Sequence, residues 1–227
     1  MQKLNVLFED NHIIVVEKIV NIPSQADKTG DIDMLTIIKE YLKEKYNKPG
    51  NVYLGLVHRL DRPVGGVMVF AKTSKAAARL SEEVRAKQFE KKYLVIANGK
   101  FESEMGIMQD YLLKNEAKNM SKVVKKDTKN SKLAELDYKV IKYSEELDLT
   151  VAKINLHTGR HHQIRVQLSS RNHSIYGDQK YGGRGHGKQI CLWAYSLKII
   201  HPVTKKELIF ELYPEKIGSW KILEDCV

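Results

Sequence analysis

The chain has 227 residues, of which 42% are hydrophobic, and its 38 Lys and Arg against 28 Asp and Glu give a formal net charge of +10. This length can bury a substantial core and predicts a single domain over residues 1–227, with two lobes but no room for an appended domain. Cys191 and Cys226 have no paired spacing, which argues against a disulfide framework or a thiolate metal site and favours a reducing cytoplasm.

The positive charge suits a polyanionic partner, because Lys and Arg gain affinity for phosphates by releasing counterions. A lysine-rich surface that binds nothing would have the same composition, so charge alone does not decide. Acidic residues at Glu9 and Asp10 interrupt the first apolar run, and no apolar run approaches the roughly 20 residues that span a bilayer. We therefore expect neither secretion nor membrane insertion.

Short β-branched runs at 4–8 and 13–16 flank a turn-forming group and predict two adjacent strands. Apolar residues at intervals of three and four predict an amphipathic helix over about 32–46. The remaining patterns predict, in chain order, strands at 53–57 and 67–70, a helix at 74–88 capped by Thr73 or Ser74, and strands at 91–97, 133–143, 147–156, 192–200 and 207–213. The sum is an α+β fold with a largely antiparallel mixed sheet and flanking helices.

The segment 114–132 is rich in lysine and has almost no apolar periodicity. We interpret it as a solvated connection, with RNA contact by a mobile loop as one alternative and a merely soluble loop as the other.

The densest chemical signal is the run His58-Arg59-Leu60-Asp61-Arg62-Pro63, which sets one carboxylate between two arginines. Nearby guanidinium charge favours the ionised form of Asp61. Pro63 cannot donate a backbone hydrogen bond and the following Gly65-Gly66 tolerates positive φ, so a loop entering a strand is predicted. Taken alone, an Arg-x-Asp-Arg run is more often a salt bridge that staples a turn.

A second dense patch follows the predicted strand 147–156, where Thr158 and Gly159 are predicted to end that strand and open a helix. The apolar positions Ile164 and Leu168 then anchor one face of the helix, while His161 and Arg165 share another.

His157 and His161 have the i, i+4 spacing found in zinc sites. We discount a metal because Gly159 falls between them at the predicted bend and no nearby acid or cysteine completes a ligand set. A solvated or RNA-facing basic helix is the better interpretation, and a capping or packing role for a single histidine stays open.

These motifs resemble those of the RluA-type pseudouridine synthases, in the form of a catalytic domain without an appended S4 domain. The run 58–63 matches the family's HRLDRP, and 158–165 resembles its TGRTHQIR, followed at 177–182 by GDxxYG. The run 91–97 resembles its KxYxA pattern, and 192–197 with His201-Pro202 resembles its LHAxxL and HP segments. The chain departs from the family pattern at Ile19, Gly65, His161 and Trp193, where Pro, Ser, Thr and His are usual.

The resemblance implies two lobes around a central cleft and an enzyme that isomerises chosen uridines in ribosomal or transfer RNA. By this resemblance, Asp61 is the catalytic carboxylate and Arg165 lies next to it. Tyr93 is the residue that stacks on the base. Arg59 would fill the gap left by a flipped base and Leu192 would pack under it. The further RNA-binding candidates are Arg62, Arg160, His162 and Gln163.

The reaction has no redox step and imports no group, so neither a cofactor nor a metal is expected. RNA is the expected partner of a chain that we take to be a monomer. A non-catalytic RNA-binding or ribosome-assembly factor is the main rival interpretation, but it predicts loss of Asp61, Tyr93 or Arg165. A glycosidase-like hydrolase would need two flanking acids, and the second candidate, Asp178, is predicted to be structural.

Overall fold

The computed structural model describes residues 4–224, and the chain divides into two compact units. The first unit contains residues 4–90 and 194–213, and the second contains residues 91–193 and 214–224. Within this described range, no helix is both long enough and apolar enough to cross a membrane.

Eleven strands and three α-helices make up the regular structure of the described range, and a 3₁₀ helix follows at Gly218–Leu223. The helices are Met34–Lys45 (α1), Ser74–Arg85 (α2) and Gln163–Ser169 (α3). The strands are Val6–Glu9 (β1), Ile13–Lys18 (β2), Gly55–Leu56 (β3), Gly65–Ala71 (β4), Glu90–Asn98 (β5), Met105–Asn115 (β6), Met120–Val124 (β7), Lys132–Ser144 (β8), Leu149–Leu156 (β9), Leu192–Ile200 (β10) and Glu207–Glu211 (β11).

In the first unit the strand order is β1-β2-β4-β10, with β3 paired to β4 and β11 paired to β10. The β2–β4 pair is antiparallel, and the apolar runs of both strands are buried on both faces. One face of this pair contributes Ile13, Val15, Val67 and Val69 to a core that α2 covers with Leu80 and its neighbours. Burial on both faces explains why these strands have continuous apolar runs rather than alternation.

In the second unit the strand order is β5-β9-β8-β6-β7, and each of these neighbouring pairs is antiparallel. The short helix α3 packs on this sheet through Val166, which joins Leu112, Ala134 and Tyr181 in a buried cluster. The side-chain amide of Gln167 also donates to the Met108 carbonyl oxygen at 3.2 Å. Helix α3, which carries the second motif, is therefore held on β6 and β8.

The first two helices are confirmed close to their predicted bounds. Of the two predicted caps, Thr73 and Ser74, the structure has Thr73 as the N-cap of α2. Its side chain accepts a hydrogen bond from the Ala76 amide. Asp33 caps α1 in the same manner. The N-terminal ends of α1 and α2 can be predicted from the sequence, because N-cap residues accept hydrogen bonds from amides that the helix leaves without an internal partner.

The strand after the Asp61 motif begins at Gly65, two residues before the predicted start. Gly66 has φ +126°, and a Cβ there would come within 2.2 Å of the Ala194 carbonyl oxygen on β10. Glycine is required at this position both for its backbone conformation and for the close approach of β10. The strand predicted over 53–57 is reduced to Gly55–Leu56.

Two predictions for the second unit are wrong. The lysine-rich segment 114–132 is not a simple connection, because it contains β7, which pairs with the unpredicted strand β6. Asn119 makes the hairpin turn with φ 47°. As an edge strand with mostly exposed side chains, β7 lacks the apolar alternation that marks a half-buried strand. The helix predicted to open at Gly159 begins only at Gln163, so His161 lies outside it.

The predicted α+β class with antiparallel strands and few helices is confirmed. The single domain over residues 1–227 and the central cleft stay predictions.

Candidate active site

Asp61 opens a tight turn at the entrance of β4. Its backbone carbonyl oxygen accepts a hydrogen bond from the Val64 amide at 2.9 Å, which closes a four-residue turn with Pro63 inside it. Immediately before the turn, the Ser24 hydroxyl donates to the Leu60 carbonyl oxygen at 2.9 Å. The backbone on both sides of the Asp61 side chain is therefore fixed, while the side chain itself is half-buried.

Lys18, at the end of β2, is fully buried and braces this turn. Its Nζ donates to the carbonyl oxygens of Arg62 and Val64, each at 2.7 Å, and of Ile19 at 3.1 Å. An ammonium group has three hydrogens, so all of them are used. Burial lowers the pKa of Lys18 to about 7, whereas the negative charge of Asp61 acts to raise it.

Lys18 and Ser24 were not predicted as site residues. In the sequence, this region was singled out only because Ile19, the residue after Lys18, stands where the family usually has Pro. A usable signal was present. Lys18 lies at the end of β2, two residues after a run of four buried apolar residues, and a lysine in that setting needs acceptors.

Arg62, which follows Asp61 directly, forms ion pairs with two aspartates in the loop before α1. Its guanidinium forms an ion pair with Asp31, a second with Asp27 at 3.5 Å, and a hydrogen bond to the Asn21 carbonyl oxygen at 3.1 Å. These contacts tie the turn to the loop before α1. Arg59, by contrast, is exposed. RNA binding by either arginine stays a prediction.

In the second unit, Arg165 and Asp178 form a buried bidentate ion pair. The Arg165 Nε and one terminal nitrogen donate to the two Asp178 carboxylate oxygens, both at 2.7 Å. The Arg165 guanidinium also lies over the Tyr181 ring, 5.2 Å from its centroid. Asp178 further accepts from the backbone amides of Lys180 and Tyr181, so its predicted structural role is confirmed.

The glycine before Asp178 is required by the local backbone. Gly177 has φ +79°, and a Cβ there would lie 2.4 Å from the Gln189 carbonyl oxygen. The Gly-Asp pair therefore forms a turn that only glycine fits and that aims the carboxylate at Arg165.

The two histidines before α3 join the β6–β7 hairpin to the motif. His161 Nδ1 lies 2.9 Å from the Ser121 hydroxyl, and its ring stacks on His162 with a centroid separation of 3.8 Å. His162 Nδ1 lies 3.0 Å from the Tyr181 hydroxyl, which also accepts from the Ser121 amide. Burial, reinforced by the Arg165 charge, lowers the pKa of His162 to about 2, so His162 is neutral.

Gln163 braces the backbone turn that precedes α3. Its side-chain oxygen accepts from the Thr158 hydroxyl at 2.7 Å and from the Arg160 amide at 3.0 Å, while its nitrogen donates to the Glu135 carbonyl oxygen. Arg160 Nε donates to the Leu133 carbonyl oxygen at 2.8 Å, and the residue is otherwise exposed. RNA contact by Arg160, His162 or Gln163 stays a prediction.

The two histidines with zinc-like spacing have separate partners. His157 Nε2 lies 2.6 Å from an Asp137 carboxylate oxygen, whereas His161 Nε2 lies 3.0 Å from the Asn119 side-chain oxygen. Both precede α3, so they do not share a helix face.

Tyr93 and Leu192, the predicted base-contacting residues, are buried in the second unit, where Tyr93 of β5 lies opposite Ile154 of β9. The second unit thus contains Tyr93, Arg165 and the motif around Gln163, and the first contains Asp61 with its bracing lysine. The predicted pairing of Asp61 with Arg165 stays a prediction.

Residues 12–170, well over half of the chain, match the family described as RNA pseudouridylate synthase. The chain is 31% identical to an uncharacterized RNA pseudouridine synthase of Aquifex aeolicus over 95% of this chain and 71% of that one. It is 32% identical to the ribosomal large subunit pseudouridine synthase C of Haemophilus influenzae over 90% of this chain and 63% of that one. The chain thus spans about two thirds of the length of these relatives.

Solved structures with the same fold include two human proteins. Human RNA pseudouridylate synthase domain containing 4 superposes with a TM-score of 0.77 at 21% identity, covering 93% of this chain and 89% of that one. Human RNA pseudouridylate synthase domain containing 1 gives a TM-score of 0.76 at 20% identity, and the match covers 96% of this chain and 86% of that one. At this level of identity the likeness concerns the fold.

The buried ion pair of Arg165 and Asp178 predicts that single and double substitutions will have unequal effects on stability. Arg165→Met should lower the free energy of unfolding by about 3–5 kcal/mol, because it leaves the Asp178 carboxylate buried without its cation. Adding Asp178→Asn to Arg165→Met should restore part of that loss, since the orphaned charge is removed. Urea denaturation of the two single variants and the double variant measures the coupling.

The exposed pair of Arg184 and Asp148, at 3.1 Å, provides the control, and Arg184→Met should cost about 1 kcal/mol or less. Strictly additive effects of the Arg165 and Asp178 substitutions would show that the two side chains are not coupled in the folded protein.

Proposed function

Because the chain belongs to the RNA pseudouridylate synthase family, we propose that it isomerises specific uridines to pseudouridine in ribosomal or transfer RNA, acting as one catalytic domain over residues 1–227. The RluA-type resemblance read from the motifs is confirmed at the level of the family, whose members are isomerases. The observation that most supports the activity is the braced turn that presents Asp61, because an aspartate held by its own backbone neighbours can be aimed without moving on substrate binding.

The proposed reaction breaks the N1–C1′ bond of the uridine, turns the freed uracil within the site, joins C5 to C1′ and removes the C5 proton. Asp61 acts on the ribose, either as a nucleophile at C1′ or as a base at C2′, and both alternatives remain in the proposal. Arg165 holds the Asp61 carboxylate ionised and oriented in this scheme. The buried Asp178 contact supports this role, since it fixes one edge of the guanidinium.

Base capture is the second part of the proposal. A uridine in folded RNA must be flipped out of its stack, which costs a few kcal/mol. Stacking of the uracil on Tyr93 returns about 1–3 kcal/mol of that cost. Arg59 fills the gap that the flipped base leaves, and Leu192 packs under the base. Arg62, Arg160, His162 and Gln163 complete the proposed RNA-binding set.

The proposed substrate class follows the names of the relatives. Several relatives are ribosomal large subunit pseudouridine synthases, which makes large-subunit ribosomal RNA the first substrate to test, with transfer RNA as the second. We further propose that the protein is a cytoplasmic monomer. The absence of a paired cysteine spacing in the sequence and the proposed RNA substrate support the cytoplasmic location.

Mapping of pseudouridines in total RNA, from cells with and without this gene, tests the proposed activity directly. The proposal predicts one or a few positions that lose pseudouridine when the gene is deleted and regain it with the purified protein. Identical maps from the two strains would contradict the proposal and favour a non-catalytic RNA-binding role.

The Asp61→Asn variant should bind RNA with nearly unchanged affinity but should lose isomerisation by at least about 1,000-fold. The substitution removes the ionisable oxygen and almost no volume, so only the chemistry is affected. Tritium release from RNA labelled at C5 of uridine measures turnover, and Glu40→Gln, which changes an exposed acid on α1, is the control. Turnover of Asp61→Asn close to that of wild type would refute the assignment.

Two further variants should be impaired in different steps, one in RNA binding and the other in turnover. Neutralising the exposed Lys125 and Lys126, just after β7, should weaken RNA binding and lower the slope of log affinity against log salt by about 0.7–0.9 for each lost phosphate contact. Tyr93→Ala should instead leave that slope unchanged and sharply lower the single-turnover rate, because stacking on the uracil is lost.

Fluorescence-anisotropy titrations at several salt concentrations and single-turnover tritium release on the same RNA separate the two effects. If Tyr93→Ala changes affinity alone, Tyr93 is a surface binding residue. An unchanged salt slope in the double lysine variant would make the connection between β7 and β8 a merely solvated loop.

A further inference from the structure

Lys91, the first lysine of the KxYxA-like run, has a half-buried side chain that the scheme above does not use. Burial alone lowers the pKa of Lys91, with no contribution from a hydrogen bond or from a nearby charge. Within residues 4–224 its ammonium group has neither an ion-pair nor a hydrogen-bond partner. A half-buried ammonium group without a protein acceptor is hydrogen-bonded by water, and an oxygen atom of a ligand can take the place of that water.

The contrast with Lys18 is informative. Lys18 is more deeply buried and gives all three of its hydrogens to backbone carbonyl oxygens, as expected of a lysine with a structural role. Lys91 is only partly withdrawn from water, and the described part of the fold provides no such acceptors. Its amine is therefore placed for a group that comes from outside the protein.

The location of Lys91 indicates what that group is. Lys91 and Tyr93 are two residues apart on β5, so their side chains leave the same face of the strand about 6.6 Å apart along it. Lys91 Nζ also lies only 3.4 Å from the point that a Cβ on Gly159 would occupy. The amine thus lies beside Gly159, at the turn that leads to Arg160.

We propose that Lys91 binds a phosphodiester group of the substrate RNA beside the uridine that stacks on Tyr93. This inference rests on the proposed function, since it takes Tyr93 as the base platform. A phosphate oxygen would provide the acceptor and the negative charge that the ammonium lacks. Lys91 then fixes the backbone of the flipped nucleotide beside Gly159.

Lys92 gives a matched control, because it is the next residue on the strand, is exposed, and points to the opposite face of β5. Salt-dependent binding of large-subunit ribosomal RNA is measured for Lys91→Gln, Lys91→Arg and Lys92→Gln, each also carrying Asp61→Asn so that no turnover intervenes. Lys91→Gln should lower the salt slope by about 0.7–0.9, and Lys91→Arg, which keeps the charge, should restore it.

Folding is checked by thermal melts, which should show no loss for Lys91→Gln because no protein contact is removed. A direct readout comes from limited acetylation of the lysines followed by mass spectrometry. The RNA should protect the Lys91 amine at least about fivefold and leave the Lys92 amine unprotected.

An unchanged slope in Lys91→Gln, an equal loss of slope in Lys92→Gln, or an unprotected Lys91 amine would each overturn the proposal. Because these measurements need no catalysis, failure of the isomerase proposal would appear separately, as an unchanged pseudouridine map.

Discussion

Two hydrogen bonds from one buried ammonium group hold the turn that presents Asp61. Lys18 connects the end of β2 to the carbonyl oxygens of Arg62 and Val64, so that two strands and the turn between them behave as one rigid piece. Without that group, two carbonyl oxygens of the turn would lose their donor, at about 1–3 kcal/mol for each one that stays buried. The position of the carboxylate therefore depends on a residue that need not touch the substrate.

The negative charge of Asp61 favours the charged form of Lys18. Burial pushes Lys18 toward its neutral form, and the carboxylate opposes that tendency. A neutral amine has one hydrogen fewer, so one of the three carbonyl contacts would be lost. Electrostatics and backbone geometry are thus linked in the first unit. In the second unit, the buried guanidinium of Arg165 is balanced directly by Asp178, and its charge helps to keep the neighbouring His162 neutral.

Part of this architecture can be predicted from the sequence, and the limits have physical reasons. The helices α1 and α2, the turn at Asp61 and the structural role of Asp178 follow from periodicity, caps and turn-forming residues, all of which are local signals. Strands β6 and β7 are hard to predict because only two side chains of β6 and one of β7 are buried, so neither strand has clear apolar alternation. Strand β7 also lies at the edge of the second unit's sheet. The bracing contacts of Lys18 and Gln163 join residues that are distant in sequence or depend on one rotamer, and no local pattern encodes them.

Hydrogen exchange at the Val64 amide tests most directly whether Lys18 holds the Asp61 turn, since this amide donates to the Asp61 carbonyl oxygen. In Lys18→Met we expect its protection to fall by at least about tenfold relative to wild type, while the Ala77 amide in the first turn of α2 changes much less. The exposed helix substitution Lys39→Met should leave both amides unchanged. Unaltered protection of Val64 in Lys18→Met, or an equal loss at Val64 and Ala77, would contradict the account.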